Sequence, residues 1–427
     1  AGRHREAAEA SVALARRRSD EAPRYLYNAA IAFEAARLLG RAIRVRAALV
    51  RAYPERRELA IRALHQNGAS YHALAMYGLA AEHYQRYAEA HASCAPLEGQ
   101  PCPDPAEGLQ DAVLFRMGLG QTDEALEAAA LAARLLGRRR PEAVARIDFA
   151  VGALFEGDPR RLTRHYADFI RRHARHATPS QLARAHVLAA RGWVALERIE
   201  RAEPGWRAAI AIHERGGEEA ALALEGTDEE RQLELTLLRD AASEAHYQLA
   251  EQRRRAFEAL RFPTFHGAAT VIRVQRWSER ELRPWLEEKQ ARLAAAEEAY
   301  ARVAPLGIPR WRIAAASRLG DMRAELASQL LESPVPDAIA RDDELLALYE
   351  AAILEVVHPI ERAAIERYEH CLTAATRARW FDARSRHCEE ALNRLDAARF
   401  PIASELRGDV GYRFAPPAAP PAALRGG

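Results

Sequence analysis

The chain has 427 residues, enough for two or three domains or for one elongated repeat array. Hydrophobic residues make up 49% and charged residues 29%, a composition typical of folded proteins and not of disordered ones. The 62 basic and 60 acidic residues leave a net charge of +2, which gives no general reason to expect a nucleic acid or an acidic membrane surface as partner. No apolar run approaches the roughly 18 residues that a membrane-spanning helix needs.

Strong helix formers dominate the composition, namely Ala, Leu, Glu and Arg. Glycines and prolines fall more often between segments of helical apolar periodicity than inside them. The nearest candidate for a β-strand is the short run TVIRV at residues 270–274. These observations predict an all-α protein and argue against Rossmann, barrel and sandwich folds.

Residues 61–92 carry the clearest internal repeat. Leu64, Gly68, Tyr71, Ala80 and Tyr84 follow the spacing L-x3-G-x2-Y…A-x3-F. Small residues at positions 68 and 80 allow two antiparallel helices to approach closely, and the two tyrosines fill the space to either side.

The same frame fits five times in succession, starting near residues 23, 61, 106, 143 and 183. The intervals exceed the usual 34 residues, so we expect extended loops or helix ends. On this pattern the first half resembles tetratricopeptide-repeat (TPR) proteins. The resemblance implies a solenoid of helix hairpins over residues 1–213, with an extended concave surface.

In TPR arrays the first helix of each hairpin lines a groove that binds peptides. Carrying the frame over gives these groove candidates: Tyr27, Ile31, Glu34, Arg62, His65, His72, Gln110, Arg184 and Arg191. The three arginines would bind a carboxylate or a backbone carbonyl of an extended peptide. Two alternatives stay open: these residues are simply solvated, or the chain's own C-terminal helices fill the groove.

The four cysteines allow three pairings. The sequence-local pairing joins Cys94 to Cys102 across a Pro-rich loop and Cys371 to Cys388 across two successive helices. Neither pair has the C-x-x-C spacing of zinc or redox sites. We favour two disulfides and therefore an oxidising compartment over the alternative of four reduced thiols in a cytosolic protein. The start without Met also favours a processed periplasmic or envelope protein.

The second half is predicted to consist of longer helices. An acidic loop or spacer is expected at 214–234 and a long helix at 229–260, broken at 261–267 by Pro and Gly. Further helices are predicted at about 279–304, 309–332, 342–377 and 381–397. Four tryptophans are expected to support their packing: Trp277, Trp285, Trp311 and Trp380.

The predicted organisation has four parts: a TPR-like array at 1–213, an acidic spacer and long helix at 214–260, a C-terminal helical domain at 261–412, and a Pro/Ala-rich disordered tail at 413–427.

The C-terminal region resembles a second group of proteins through its own motifs. They include Phe262-Pro263, Arg318-Leu319-Gly320, the run SPVP at 333–336 and the run PIERAA at 359–364. Over roughly 262–412 these are similar to envelope TPR proteins of bacterial gliding-motility complexes. The resemblance implies a structural component of an envelope assembly, and the two C-terminal cysteines depart from its pattern.

The sequence contains no nucleotide-binding, hydrolase or metalloprotease motif of known spacing, and we expect no cofactor. His173 and His176 could share a helix face, but spacing places no third metal ligand and nearby arginines would repel a cation. In the same stretch Leu162, Tyr166 and Phe169 recur at helical spacing. They predict a core-facing stripe, with the charges on a solvated face.

The sequence therefore predicts a non-enzymatic protein-interaction scaffold in a bacterial envelope complex, such as one for gliding motility or transport. The alternative is a cytoplasmic TPR sensor that binds a peptide or a partner protein. Neither prediction specifies the oligomeric state.

Overall fold

The computed structural model describes residues 2–17, 20–97, 100–265 and 270–402. Regular structure in these ranges is helical apart from one isolated antiparallel bridge between Leu97 and Gln100, so the all-α prediction is confirmed. The chain divides between Ala245 and His246 into two compact units, here unit 1 and unit 2. The predicted boundaries at 213 and 260 stay predictions, and the predicted tail at 413–427 lies outside the described residues.

Unit 1 is a succession of helix hairpins in which, from α1 to α11, each helix packs against the next. Its helices are α1 (Gly2–Ala15), α2 (Ala22–Ala35), α3 (Leu39–Ala52), α4 (Arg57–Ala73), α5 (Tyr77–Ala90), α6 (Pro105–Gly118), α7 (Thr122–Leu136), α8 (Pro141–Val151), α9 (Pro159–His173), α10 (Pro179–Ala195), α11 (Ile199–Ile212), α12 (Glu218–Leu222) and the start of α13 (Asp228–Glu258).

The five predicted frames coincide with five consecutive hairpins, from α2–α3 to α10–α11. Many of their small and aromatic positions are buried, including Ala30, Phe33 and Ala42 in the first hairpin.

One backbone turn recurs between the two helices of four of these hairpins. In each, a residue of left-handed conformation lies two places after the end of the first helix, at Arg37, Ala75, Gly120 and Glu197. The next amide N–H then donates to the carbonyl five residues earlier, as from Met76 to Tyr71 at 2.9 Å. Only one of these four positions is glycine. The turns therefore share a backbone conformation without sharing a residue type.

Tyr84 holds the second hairpin to the third by filling the space over two glycines. A Cβ atom added at Gly68 of α4 would lie 2.6 Å from the Tyr84 ring, and one added at Gly108 of α6 would lie 3.0 Å from it. The predicted close approach at position 68 is therefore present, and the aromatic ring itself lies against that glycine.

Replacing Gly68 with Ala should lower the free energy of unfolding by about 1–3 kcal/mol, because the added methyl overlaps the buried ring. Gly40→Ala is the matched control. No atom lies within 4 Å of a Cβ added there, and alanine favours the helix, so this variant should be neutral or slightly stabilised. Chemical denaturation of both variants measures the difference. Equal stability of the two would contradict the packing role of position 68.

The predicted acidic loop or spacer is corrected, and the short run weighed as a strand candidate is helical. Residues 214–234 lie largely in helices, since α12 follows a kinked wide turn at His213–Gly217 and α13 begins at Asp228. Ion pairs from Glu218 to His213 and Arg239 hold this region in unit 1. The run at 270–274 begins a helix, capped by the Thr270 hydroxyl accepting from the Arg273 N–H.

Unit 2 contains the end of α13 and longer helices, close to the predicted ranges. They are α14 (Val271–Trp277), α15 (Arg283–Ala301), α16 (Pro309–Leu331), α17 (Asp337–Ala340), α18 (Asp343–Ala378) and α19 (Ala383–Leu395).

Lys289 of α15, the chain's single lysine, is fully buried, and its side chain binds the C-terminal end of α13. Its ammonium donates to the carbonyls of Phe257 at 2.9 Å and Leu260 at 3.1 Å, and burial lowers its pKa. The ammonium thus supplies a donor to carbonyls at the end of the helix, where intrahelical hydrogen bonds run out.

The predicted packing role of the tryptophans holds for three of them and is wrong for the fourth. Trp277 and Trp285 contact Phe262, and Trp311 contacts Tyr247. Trp380 lies in the turn after α18 and is 44% exposed, because a residue in this turn lies outside the packed faces of the two helices.

Candidate protein-interaction surface

The cysteines of each sequence-local pair lie at bonding distance in the structure. The Cα atoms of Cys94 and Cys102 are 6.2 Å apart, and those of Cys371 and Cys388 are 6.5 Å apart. The first pair closes the loop that connects α5 to α6. The second joins α18 to α19, as expected from the predicted turn between them.

Arg62 binds backbone carbonyls, but those of the chain's own disulfide-closed loop. Its guanidinium donates to the carbonyl oxygens of Ala95 at 3.1 Å, Gln100 at 2.7 Å and Pro101 at 3.3 Å. Only 5% of the residue is exposed. While the loop is in place, the Arg62 guanidinium is buried and cannot bind a peptide.

A buried polar network that was not predicted from the sequence joins the first hairpin to α4. Arg46 of α3 is fully buried and pairs with Glu34 at 2.6 Å, while its other nitrogens donate to Gln66 and Ser70 of α4. Gln66 in turn donates to the Tyr27 hydroxyl at 3.0 Å. The network joins three helices and occupies two predicted groove residues, Tyr27 and Glu34. Its sequence signal is an arginine in the apolar stripe of α3, between Ala42 and Leu49.

Some of the remaining groove candidates contact other residues of the chain, and others are exposed to solvent. Arg191 forms a two-pronged ion pair with buried Glu244, and Arg184 lies over the ring of Phe149 at 5.5 Å. His65 contacts the rings of two tyrosines, and its burial lowers its pKa. The open or partly open candidates are Ile31, His72 and Gln110.

The histidines of α9 serve packing and charge pairing. His173 lies 3.0 Å from the carboxylate of Asp148, and His165 bonds the Asp148 carbonyl at 2.9 Å. Burial opposes ionisation of Asp148, yet the hydrogen bond from His173 and the charge of Arg172 keep its pKa below the usual value. α9 ends at His173, so His176 does not share its face.

The predicted apolar stripe of α9, Leu162, Tyr166 and Phe169, is buried. Across the described ranges, no group of three or more His, Cys, Asp or Glu residues is placed to hold a metal ion. None of the described helices is long and apolar enough to cross a bilayer.

The surface with the clearest capacity to bind another protein lies at the turns of the second and third hairpins. We call it the turn patch and define it by five residues: Leu74, Met76, Tyr77, Phe115 and Leu119. Four of them are 40–47% exposed, and Phe115 is partly buried between them.

Ring contacts make the turn patch continuous between hairpins. Phe115 of α6 lies 5.0 Å from the ring of Tyr77 and 4.6 Å from that of His72. A Cβ added at Gly78 would lie 3.7 Å from Leu119, so the two turns are in contact range. Continuous exposed apolar surface containing Met and aromatic residues is typical of protein interfaces.

Replacing Arg62 with Met should destabilise unit 1 by about 2–3 kcal/mol, because three loop carbonyls lose their donor. The Cys94–Cys102 loop should then be cut faster by proteases. Arg57→Met, an exposed position on the same helix, is the control and should behave as the parent. Limited proteolysis with mass mapping, together with denaturation, measures both effects. An unchanged cleavage rate in the loop would show that Arg62 does not hold it.

No protein-family model matches the sequence, and the search of curated proteins gives no match. Among solved structures, the chain is similar to a Rap protein complexed with competence and sporulation factor, at 12% identity, 88% coverage of this chain, 86% of the other and a TM-score of 0.30. It is also similar to Naa15/Naa10 bound to HypK-THB, at 12% identity, 88% and 58% coverage and a TM-score of 0.27. A third similarity is to the human IFIT1 dimer with m7Gppp-AAAA, at 13% identity, 88% and 82% coverage and a TM-score of 0.23. At these scores the likenesses carry no inference about function.

Proposed function

We propose that this protein is a non-enzymatic scaffold that binds a partner protein at the turn patch. The observation that carries the proposal is an exposed surface of large apolar side chains that is continuous across two hairpins. A partner segment with apolar side chains would remove this surface from water, which is the main driving force of protein association.

The fixed backbone beneath the turn patch supports the same proposal. Ala75 has a left-handed conformation, and the Met76 N–H is bonded to the Tyr71 carbonyl. A surface that is already ordered loses little conformational entropy when a partner binds.

The peptide groove along the first helices is a narrower proposal. It rests on Ile31, His72 and Gln110, whose side chains are at least partly open to solvent. Glu34, Arg62 and Arg191 contact other parts of the chain, so a peptide would have to displace those contacts.

The double variant Met76→Ser/Leu119→Ser should lose its partner while keeping its fold. Each truncation in the centre of an interface lowers affinity by about tenfold, so enrichment of the partner should fall by about tenfold or more. The control is Leu222→Ser/Leu233→Ser, two exposed leucines of unit 1 outside the turn patch. Quantitative affinity purification from membrane and soluble extracts compares the parent chain with both variants.

Recovery of the same proteins at the same level by all three chains would refute the turn patch as the binding site. Partners found only among cytoplasmic proteins would argue against an envelope complex.

We further propose an oxidising compartment, the periplasm or cell envelope, with a role in an envelope assembly. The two cysteine pairs at bonding distance support this, since disulfides persist in oxidising compartments. A gliding-motility complex is the specific assembly that the C-terminal resemblance implies.

Thiol alkylation of the protein in its native cells should label none of the four cysteines before reduction and all four after reduction. Mass spectrometry of the intact chain gives the count. Full labelling without reductant would instead favour the cytoplasmic TPR sensor.

A further inference from the structure

The turn between α18 and α19 presents two neighbouring aromatic side chains to solvent. Trp380 is 44% exposed and Phe381 is 73% exposed, more than any other large apolar side chain in the described ranges. The Trp380 indole N–H donates to Asp382 at 3.1 Å, so the polar atom of the ring already has a partner. Packing within unit 2 gives no reason for this exposure.

The aromatic pair sits on a rigid support. Arg379 has a left-handed conformation, and the Trp380 N–H donates to the Ala375 carbonyl at 2.9 Å. Asp382 caps α19 by accepting from the backbone N–H groups of Arg384 and Ser385. The Cys371–Cys388 pair joins the two helices behind the turn.

The surrounding charge is positive. Residues 371–388 contain four arginines and one acidic residue, Asp382, whose carboxylate is occupied by the cap and the indole. Arg377, Arg379 and Arg386 are exposed and form no side-chain ion pair or hydrogen bond within the part of the chain that the structure describes. These cations are therefore available to an anionic partner.

We propose that this turn, the aromatic tip, docks the protein on the surface of an anionic lipid bilayer. The tip comprises Trp380 and Phe381 with Arg377, Arg379 and Arg386. The two rings would enter the boundary between headgroups and acyl chains, where aromatic side chains are favoured. The arginines would bind lipid phosphates. This inference is independent of the turn patch.

The layering of the tip favours a bilayer over other partners. The aromatic residues lie in the turn itself, whereas Arg377 lies in the last turn of α18 and Arg386 in the first turn of α19. Bilayers have the same order, with apolar chains beneath phosphates, and interfacial insertion reaches about 5–10 Å. Nucleic-acid binding commonly uses about 6–10 phosphate contacts, more than these three arginines supply.

The test is flotation of the full chain with two kinds of vesicle, one of 30% phosphatidylglycerol in phosphatidylcholine and one of phosphatidylcholine alone. We expect the parent chain to float with the anionic vesicles. Trp380→Ala/Phe381→Ala should lower the partition coefficient by about tenfold or more. Arg377→Gln/Arg379→Gln should lower it several-fold on the anionic vesicles only.

Two control variants match these changes elsewhere in unit 2. Leu345→Ala/Leu348→Ala removes two exposed apolar side chains, and Arg253→Gln/Arg255→Gln removes two exposed charges. Both should float like the parent chain. Brominated acyl chains should quench part of the tryptophan emission of the parent chain, and this part should be missing from Trp380→Phe, which keeps an aromatic ring.

Several results would overturn the proposal. They are a parent chain that floats with neither vesicle, or an alanine double variant that floats as well as the parent. Self-association of the parent chain that depends on Trp380 and Phe381, without vesicle binding, would assign the tip to a second copy and reject the bilayer. Binding of a single-stranded oligonucleotide in place of vesicles would reject it as well.

Discussion

The packing of the Tyr84 ring over Gly68 and Gly108 is the contact on which the described hairpins of unit 1 most clearly depend. A helix hairpin alone leaves one apolar face in water, and stacking on a neighbour removes it. Stacking at this distance requires one helix surface to lack side chains where the other carries a ring. The same requirement repeats along the array, which is why small residues recur at fixed spacing.

Within this array, charged groups of the predicted inner face mainly stabilise the chain itself. Glu34 pairs with buried Arg46, Arg62 holds the disulfide-closed loop, and Arg191 pairs with Glu244. Buried guanidinium groups require partners, because an unpaired buried charge is strongly unfavourable. The residues best suited by type to bind a peptide are thus already bonded, and the apolar turns are left as the more open binding surface.

One backbone turn presents both surfaces that we propose. Met76 and Trp380 each follow a left-handed residue, and each is followed by an exposed aromatic residue, Tyr77 or Phe381. The turn closes the first helix and directs the next two side chains outward. The same type of turn therefore exposes two neighbouring apolar side chains to solvent in each unit.

The sequence by itself determined the helical class, the five hairpin frames of unit 1, most of the helix ranges of unit 2 and the sequence-local cysteine pairing. These follow from periodicity, from glycine and proline positions and from short separations along the chain, all of which are local. It did not locate the partners of Arg62 and Lys289, the exposure of Trp380 or the turn patch. Only the tertiary structure decided these, because the burial of a charge or a ring depends on residues that are distant in sequence and brought near by packing.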